Sequence, residues 1–347
     1  MKILKFLLIF VPVSIIAKFM GASDTLMFLF SCLSIIPLAA WMGEGTEEIS
    51  YYTGPKLGGF INGTFGNATE LIISIFALKQ GLFEVVKSSI AGAVIGNILL
   101  VIGASMLAGG FKYKTLKFHQ KVTEHTSSML LFAVIGLCIP AIFTHTIRPN
   151  LLNTRYEGLS ILVAIVMIVI YVLSLFFTFS THKELYSINA EHEGTAKWSL
   201  KKAITILIIA TVLIAIESEF LVGGIEAITE TLGWSEFFVG IILIPIIGNA
   251  AEHSTAVAMA LKNKMDVALE IAMGSSLQVI LFVAPVLIFI SLLFTPMSII
   301  FNAFELVALI ASVIIANQVS RDGECNWLEG ATLIAVYIII AASFFVI

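Results

Sequence analysis

The sequence predicts an all-α polytopic membrane protein of eleven transmembrane helices: two inverted-topology five-helix repeats preceded by an extra N-terminal helix. Three observations carry this. Of 347 residues only 12% are charged while 59% are hydrophobic, where soluble domains carry roughly 25% charged residues. Apolar runs repeatedly reach the ~20 residues needed to cross the hydrocarbon core. A costly motif, Gly-Asn-Ala-X-Glu, occurs twice in this apolar sequence, at Gly66–Glu70 and Gly248–Glu252, 182 residues apart (252 − 70).

Hydropathy places the spans at about 3–20, 24–48, 57–79, 85–108, 126–146, 157–180, 202–231, 236–261, 267–293, 297–319 and 327–346. The ~10-residue alternating segments of a membrane barrel are absent. Lys2 and Lys5, an apolar stretch and Gly21-Ala22-Ser23 resemble a secretory signal peptide. The apolar stretch continues to Met20, which favours an uncleaved helix. With these spans, 14 of the 19 basic residues fall in loops on the side of the N-terminus. The positive-inside rule then puts the N-terminus in the cytoplasm and the C-terminus outside. Cys32, Cys138 and Cys325 are odd in number and widely spaced, which suggests neither a disulfide framework nor a zinc site. The net charge of −4 decides little, because the distribution of charge matters more than its sum.

The expected organisation is an N-terminal helix over 1–23, repeat one over 24–181, a cytoplasmic linker over 182–201 and repeat two over 202–347. The linker, with Glu184, Glu191, His192 and Glu193, reads as a weakly acidic, solvated helix. A sharper reading makes it a peripheral site that gathers cations.

A shift of 182 residues aligns 44–103 with 226–285 without a gap and gives 12 identities in 60. The number is modest for apolar sequence, but its placement is informative. Glu44 pairs with Glu226, Glu48 with Glu230 and Gly92 with Gly274, and four of the five motif residues pair with their counterparts. The residues that cost most in a membrane are the ones repeated. Five spans in each half make the second half cross the membrane in the opposite sense, the arrangement of many secondary transporters.

Gly58, Gly59, Gly63 and Gly66 weaken the helix before the first motif, and Pro245 and Gly248 do so before the second. Both spans are therefore expected to break just before the Asn-Ala-X-Glu segment. A broken helix frees backbone carbonyls, which are tolerated at membrane depth where they line a cavity or bind an ion. Asn67 and Glu70 are three residues apart, as are Asn249 and Glu252, so each pair shares a helix face. Two carboxylates, two amide oxygens and freed carbonyls form an all-oxygen shell. Such a shell suits Ca²⁺, which accepts 6–8 oxygens in flexible geometry, better than Mg²⁺, which demands strict octahedral order. Acidic residues inside membrane spans are functional candidates by default.

Gly66, Gly248, His253, Asn97, Ser275, Ser276 and Gln278 are expected to line the same cavity. Small and polar residues also serve as ordinary glue between membrane helices. His253 is a lone ligand, a proton carrier or a side chain that orients its neighbour through a hydrogen bond. Glu44, Glu48, Glu226 and Glu230 lie late in their spans and are candidates for water-filled vestibules, whereas Glu217, Glu219 and Glu305 carry no assignment.

Two buried carboxylates without a cation repel one another, so the empty site should take up protons. One divalent cation balances two carboxylates, and so do two protons. A site that crosses neutralised by either occupant, but is costly when empty, is an antiporter.

At Gly66–Ser74, Gly248–Ala256 and Gly274–Gln278 the sequence resembles the cation/proton exchanger family of H⁺/Ca²⁺ antiporters, within the calcium/cation antiporter superfamily. The similarity runs over essentially the whole chain. It implies eleven spans, two inverted five-helix repeats, an acidic helix between spans six and seven, and Ca²⁺ ligation by Glu70 and Glu252. Na⁺/Ca²⁺ exchangers look different here, with Gly-Thr-Ser type motifs. The expected function is export of Ca²⁺ from the cytosol driven by the proton gradient, with Ca²⁺ as transported ion and no organic cofactor. The expected partners are the lipid bilayer, Ca²⁺ and H⁺, without nucleic acid, and a homo-oligomer is an admissible assembly. The short chain points to a prokaryotic plasma membrane. The alternatives are a Na⁺- or K⁺-coupled Ca²⁺ exchanger, then a cation channel or an intramembrane metalloenzyme. The metalloenzyme lacks its His-Glu-x-x-His or paired-Asp feature.

Overall fold

The computed structural model describes residues 6–144, 152–182, 196–319 and 321–346. In chain order the helices are α1 (Phe10–Phe19), α2 (Asp24–Gly66), α3 (Ala68–Lys79), α4 (Phe83–Tyr113), α5 (Gln120–Thr144), α6 (Leu152–Phe176), α7 (Leu200–Gly223), α8 (Ile225–Leu232), α9 (Glu236–Gly248), α10 (Ala250–Ala260), α11 (Met265–Ser291), α12 (Ala303–Val319) and α13 (Trp327–Val346). Among the described residues seven helices are long and apolar enough to cross a membrane, or eight if the bent pair α8–α9 is counted as one span. The protein is a helical membrane protein, as the composition requires.

Where the helices differ from the expected spans, the backbone gives the reason. Span 24–48 and the first part of span 57–79 run together as α2, which bends at Gly54, whose φ of 78° is open to glycine at little cost. Span 57–79 then ends as a regular helix at Gly66 and restarts at Ala68, while 236–261 stops at Gly248 and restarts at Ala250. The helices in the first and tenth expected spans, α1 and α12, are 10 and 17 residues long. The linker's residues 183–195 lie outside the described residues.

The described residues include one strand pairing. β1 (Thr115–Lys117) pairs antiparallel with β2 (Glu324–Asn326), with Leu116 opposite Cys325. Three-residue strands are too short to leave a period-two signature. The loop before α13 is fixed by a reciprocal cap: Glu329 N–H donates to Asn326 Oδ1, and Asn326 N–H donates to Glu329 Oε2. Asn302 and Glu305 form the same arrangement at the start of α12, which gives the buried Glu305 a structural role.

The described residues within Met1–Ser89 and Ala190–Ala251 form one compact unit, and those within Ile90–Asn189 and Glu252–Val346 another. Each unit draws chain from both sides of the linker. In the first, α7 buries Ala203, Leu207, Ala210, Ile214, Glu217 and Leu221, a 4-3-4-3-4 spacing that forms a single seam. It packs against Leu38, Met42 and Ile49 of α2. Burying an aliphatic side chain contributes roughly 1.5–3 kcal/mol, so a carboxylic residue in this seam needs an explanation. In the second unit α4 packs on α13 and α5 on α12.

Candidate ion site

The two copies of the motif adopt the same backbone. Asn67 has φ −98° and ψ 16°, and Asn249 has φ −97° and ψ 8°. Both lie in the sparsely allowed bridge region, where active-site residues often sit. The helix therefore breaks on the asparagine itself. Each glutamate occupies the first turn of the helix that follows, Glu70 in α3 and Glu252 in α10. A negative charge there is favoured by the unpaired N–H groups of the helix start. The repeat extends further. Asn97 sits in a wide i→i+5 turn over Gly96–Val101, and Val279–Val283 forms another directly after Gln278. The shift of 182 carries residue 97 to 279.

In the first unit, Asn67, Glu70 and Asn249 are buried, with Asn67 and Asn249 at 0% and 1% exposure. Asn249 Nδ2 donates to the carbonyl of Pro245 at 3.1 Å. This fixes the amide, so that Oδ1 is an acceptor without a hydrogen-bond partner among the described residues. The N–H that Pro245 lacks falls in the wide turn Val239–Leu243 before it, and the break at Asn249 comes one turn after the proline, with Asn249 N–H donating to the Pro245 carbonyl at 3.0 Å. Glu70 packs against Gly248: a Cβ built there would lie 2.9 Å from Glu70 Oε1. The glycine of the second motif thus makes room for the carboxylate of the first.

In the second unit, Glu252 Oε2 is buried without a hydrogen-bond partner among the described residues, and the Ser275 hydroxyl bonds to the Glu252 carboxyl. His253 Nε2 donates to Asn97 Oδ1 at 3.2 Å. The histidine thus bonds across to α4 instead of orienting the glutamate beside it. Asn97, Ser275 and Ser276 are buried, and Gln278 is partly so. Among the described residues no three or more His, Cys, Asp or Glu side chains are grouped so as to hold a metal ion. Further oxygens for a cation would have to come from amides, hydroxyls and the backbone.

The vestibule candidates separate. Glu48 Oε2 accepts from the backbone N–H groups of Lys197 and Trp198 at 2.8 and 2.9 Å, and the Tyr52 hydroxyl donates to the Trp198 carbonyl. The carboxylate therefore ties the chain ahead of α7 to α2. Its repeat partner Glu230 is exposed, as is Glu226, and Glu44 is half-buried. Glu219 is exposed and Glu217 wholly buried, a difference that two neighbouring glutamates in one apolar run did not reveal.

Acids in the first turns of two restarted helices, Glu70 buried and Glu252 partly so, each three residues after a buried asparagine in the same bridge-region conformation, mark a membrane transport protein built on a duplicated acidic motif. The chain belongs to the family described as sodium/calcium exchanger protein, which matches residues 23–180 and 202–346. It is 46% identical to a Ca²⁺/H⁺ antiporter of Aphanothece halophytica, over 98% of this chain and 95% of that protein. It is 45% identical to the Ca²⁺/H⁺ antiporter ChaA of Bacillus subtilis, over 97% of each. The crystal structure of the Ca²⁺/H⁺ antiporter protein YfkE superposes with a TM-score of 0.87 at 42% identity and covers 100% of both chains.

Proposed function

We infer that this protein is a secondary antiporter that exchanges Ca²⁺ for H⁺, and that it is not an enzyme. The observation that carries the reading is the identical backbone of Asn67 and Asn249, each placing a glutamate three residues on in a first helical turn. Relatives of 45–46% identity over nearly the whole chain, both Ca²⁺/H⁺ antiporters, support the proton as coupling ion over Na⁺ or K⁺.

In this reading Glu70 and Glu252 ligate the transported cation, assisted by Asn67 and Asn249. The hydrogen bond from Asn249 Nδ2 to Pro245 supports an oxygen-first presentation of that amide. Ca²⁺ is the cargo, and its hydration shell is exchanged for carboxylate, amide and backbone oxygen. When Ca²⁺ leaves, the carboxylates take protons, because two uncompensated charges at membrane depth are expensive. Neither occupant leaves the site charged, so both can be carried while an empty site cannot. Ser275, Ser276, Gln278, Asn97 and His253 line the path of the cation. Eleven spans in two inverted five-helix repeats, with the N-terminus cytoplasmic in a prokaryotic plasma membrane, complete the proposal. It is supported by the recurrence at 182 residues and by the distribution of basic residues.

The test is flux in reconstituted vesicles. An imposed pH gradient should drive ⁴⁵Ca accumulation, an equal Na⁺ or K⁺ gradient should not, and Glu70→Gln or Glu252→Gln should abolish uptake. Uptake that persists in both variants refutes the assignment of the site.

A further inference from the structure

We propose that Glu217 is a proton-binding site separate from the duplicated motif, in which one carboxylic acid is held by serine hydroxyls from α1 and α2. Glu217 takes a seam position on α7 that the spacing of Ala203, Leu207, Ala210, Ile214 and Leu221 reserves for an apolar side chain. It is 0% exposed, and so are Ser14 of α1 and Ser31 and Ser34 of α2. Burial acts on the carboxyl first, and these three hydroxyls are the side chains next to it. Polar residues thus replace apolar ones on all three helices at one level.

Among the described residues no cationic side chain acts on this carboxyl. On α1, Lys18 lies one turn beyond Ser14, but its ammonium sits over the Phe220 ring, 5.7 Å from the centroid. On α2 the charged residues nearest in sequence are Asp24 and Glu44, seven residues before Ser31 and ten after Ser34. On α7 the neighbouring Glu219 is exposed. An isolated carboxylate buried in this seam is strongly disfavoured, whereas a neutral acid with satisfied hydrogen bonds is not.

Counting hydrogens points the same way. A serine hydroxyl has one hydrogen to give. That of Ser14 lies 2.8 Å from the Val11 carbonyl, and that of Ser34 lies 2.9 Å from the Phe30 carbonyl. The same Ser14 hydroxyl is placed to donate to Glu217 Oε1, with which it makes a short contact, and its one hydrogen cannot serve both acceptors: while it is given to Val11, a lone pair faces the carboxyl. A carboxylate would meet lone pair with lone pair, but a carboxylic acid donates. Oε2 and the Ser31 hydroxyl are both buried without a geometric hydrogen-bond partner, and Ser31 can donate to Oε2 by turning its hydroxyl. One proton therefore completes the set, joining the helix outside the duplication to α2 and α7. Since α7 also packs against α3, whose first turn carries Glu70, the site adjoins the motif helix through one helix contact.

Infrared difference spectroscopy on the full chain in nanodiscs, stepped from acidic to alkaline pH, tests this without any transport measurement. The test therefore stands whether or not Ca²⁺/H⁺ exchange is upheld. On a background of Glu70→Gln and Glu252→Gln, which removes the two motif acids, the protein should show the C=O band of a protonated carboxyl at neutral pH. Glu217→Gln should remove it, and Ser31→Ala should shift it by deleting the hydrogen bond to Oε2. If Glu217→Gln does not fold, Ser31→Ala and Ser14→Ala carry the test. A neutral-pH band that none of the folded variants changes overturns the proposal. So does a Glu217 band lost on adding NaCl at constant pH, which would make the cradle a Na⁺ site.

Discussion

A Cβ on Gly248 would stand 2.9 Å from Oε1 of Glu70, so the glycine of one motif sets the position of the other motif's carboxylate. The atom it meets is the end of a flexible side chain, and alanine should displace the carboxylate before it displaces a helix. Gly248→Ala is therefore expected to raise the KM for Ca²⁺ about tenfold, equivalent to about 1.4 kcal/mol. The thermal unfolding midpoint in detergent should stay near wild type. Concentration-dependent ⁴⁵Ca uptake beside a melting curve checks both halves.

The bond between His253 Nε2 and Asn97 Oδ1 joins α10 to the wide turn of α4. A neutral hydrogen bond contributes roughly 0.5–1.5 kcal/mol net. Asn97→Ala and His253→Ala should each destabilise the protein by about 1 kcal/mol, and the double variant by less than their sum. A double-mutant cycle read by denaturant unfolding measures that coupling. Strict additivity would show that the two side chains do not interact.

Glu48 and Glu230 align in the repeat but differ in their surroundings. The carboxylate of Glu48 holds two backbone amides, whereas Glu230 is exposed. Hydrogen bonds to a charged group contribute roughly 1.5–3 kcal/mol, so Glu48→Gln should lower stability by about 2 kcal/mol. Glu230→Gln should change it by less than about 0.5 kcal/mol. Amide hydrogen exchange at Lys197 and Trp198 should speed up in the first variant alone.

Cys325 pairs with Leu116 in the β-ribbon and is 2% exposed. Burial, followed by the charges of Glu329, Asp322 and Glu324, pushes its thiol up to about 12. The thiolate is the reactive form, so the thiol stays neutral at physiological pH and gains reactivity only as pH rises toward that value. Iodoacetamide should label Cys325 far more slowly than the same cysteine in denatured protein across about pH 7–9. Mass spectrometry of the peptide gives the rate.

Much of the site was legible because cost leaves a trace in sequence. Glycines, Pro245 and paired acids stand out against apolar runs, and the breaks at Asn67 and Asn249 fall within one residue of where those signals put them. The bend at Gly54 was less legible, because one glycine among several before the motif does not reveal which of them turns the chain. The β-ribbon was too short to show a period. The partners of Glu48, His253 and Glu217 were invisible for another reason: each contact joins residues at least 149 positions apart, and helical spacing reports only the near face. A buried carboxyl in a helix's apolar seam looks in sequence much like the exposed Glu219 two residues on.

The central claim is that Ca²⁺ and protons compete for Glu70 and Glu252. Calorimetric titration of Ca²⁺ into the purified protein, in two buffers of different ionisation enthalpy, counts the protons released for each Ca²⁺ bound. The account predicts net proton release in wild type, and loss of both binding and release in Glu70→Gln and Glu252→Gln. Ca²⁺ binding with no proton release, or binding unchanged in both variants, would contradict it.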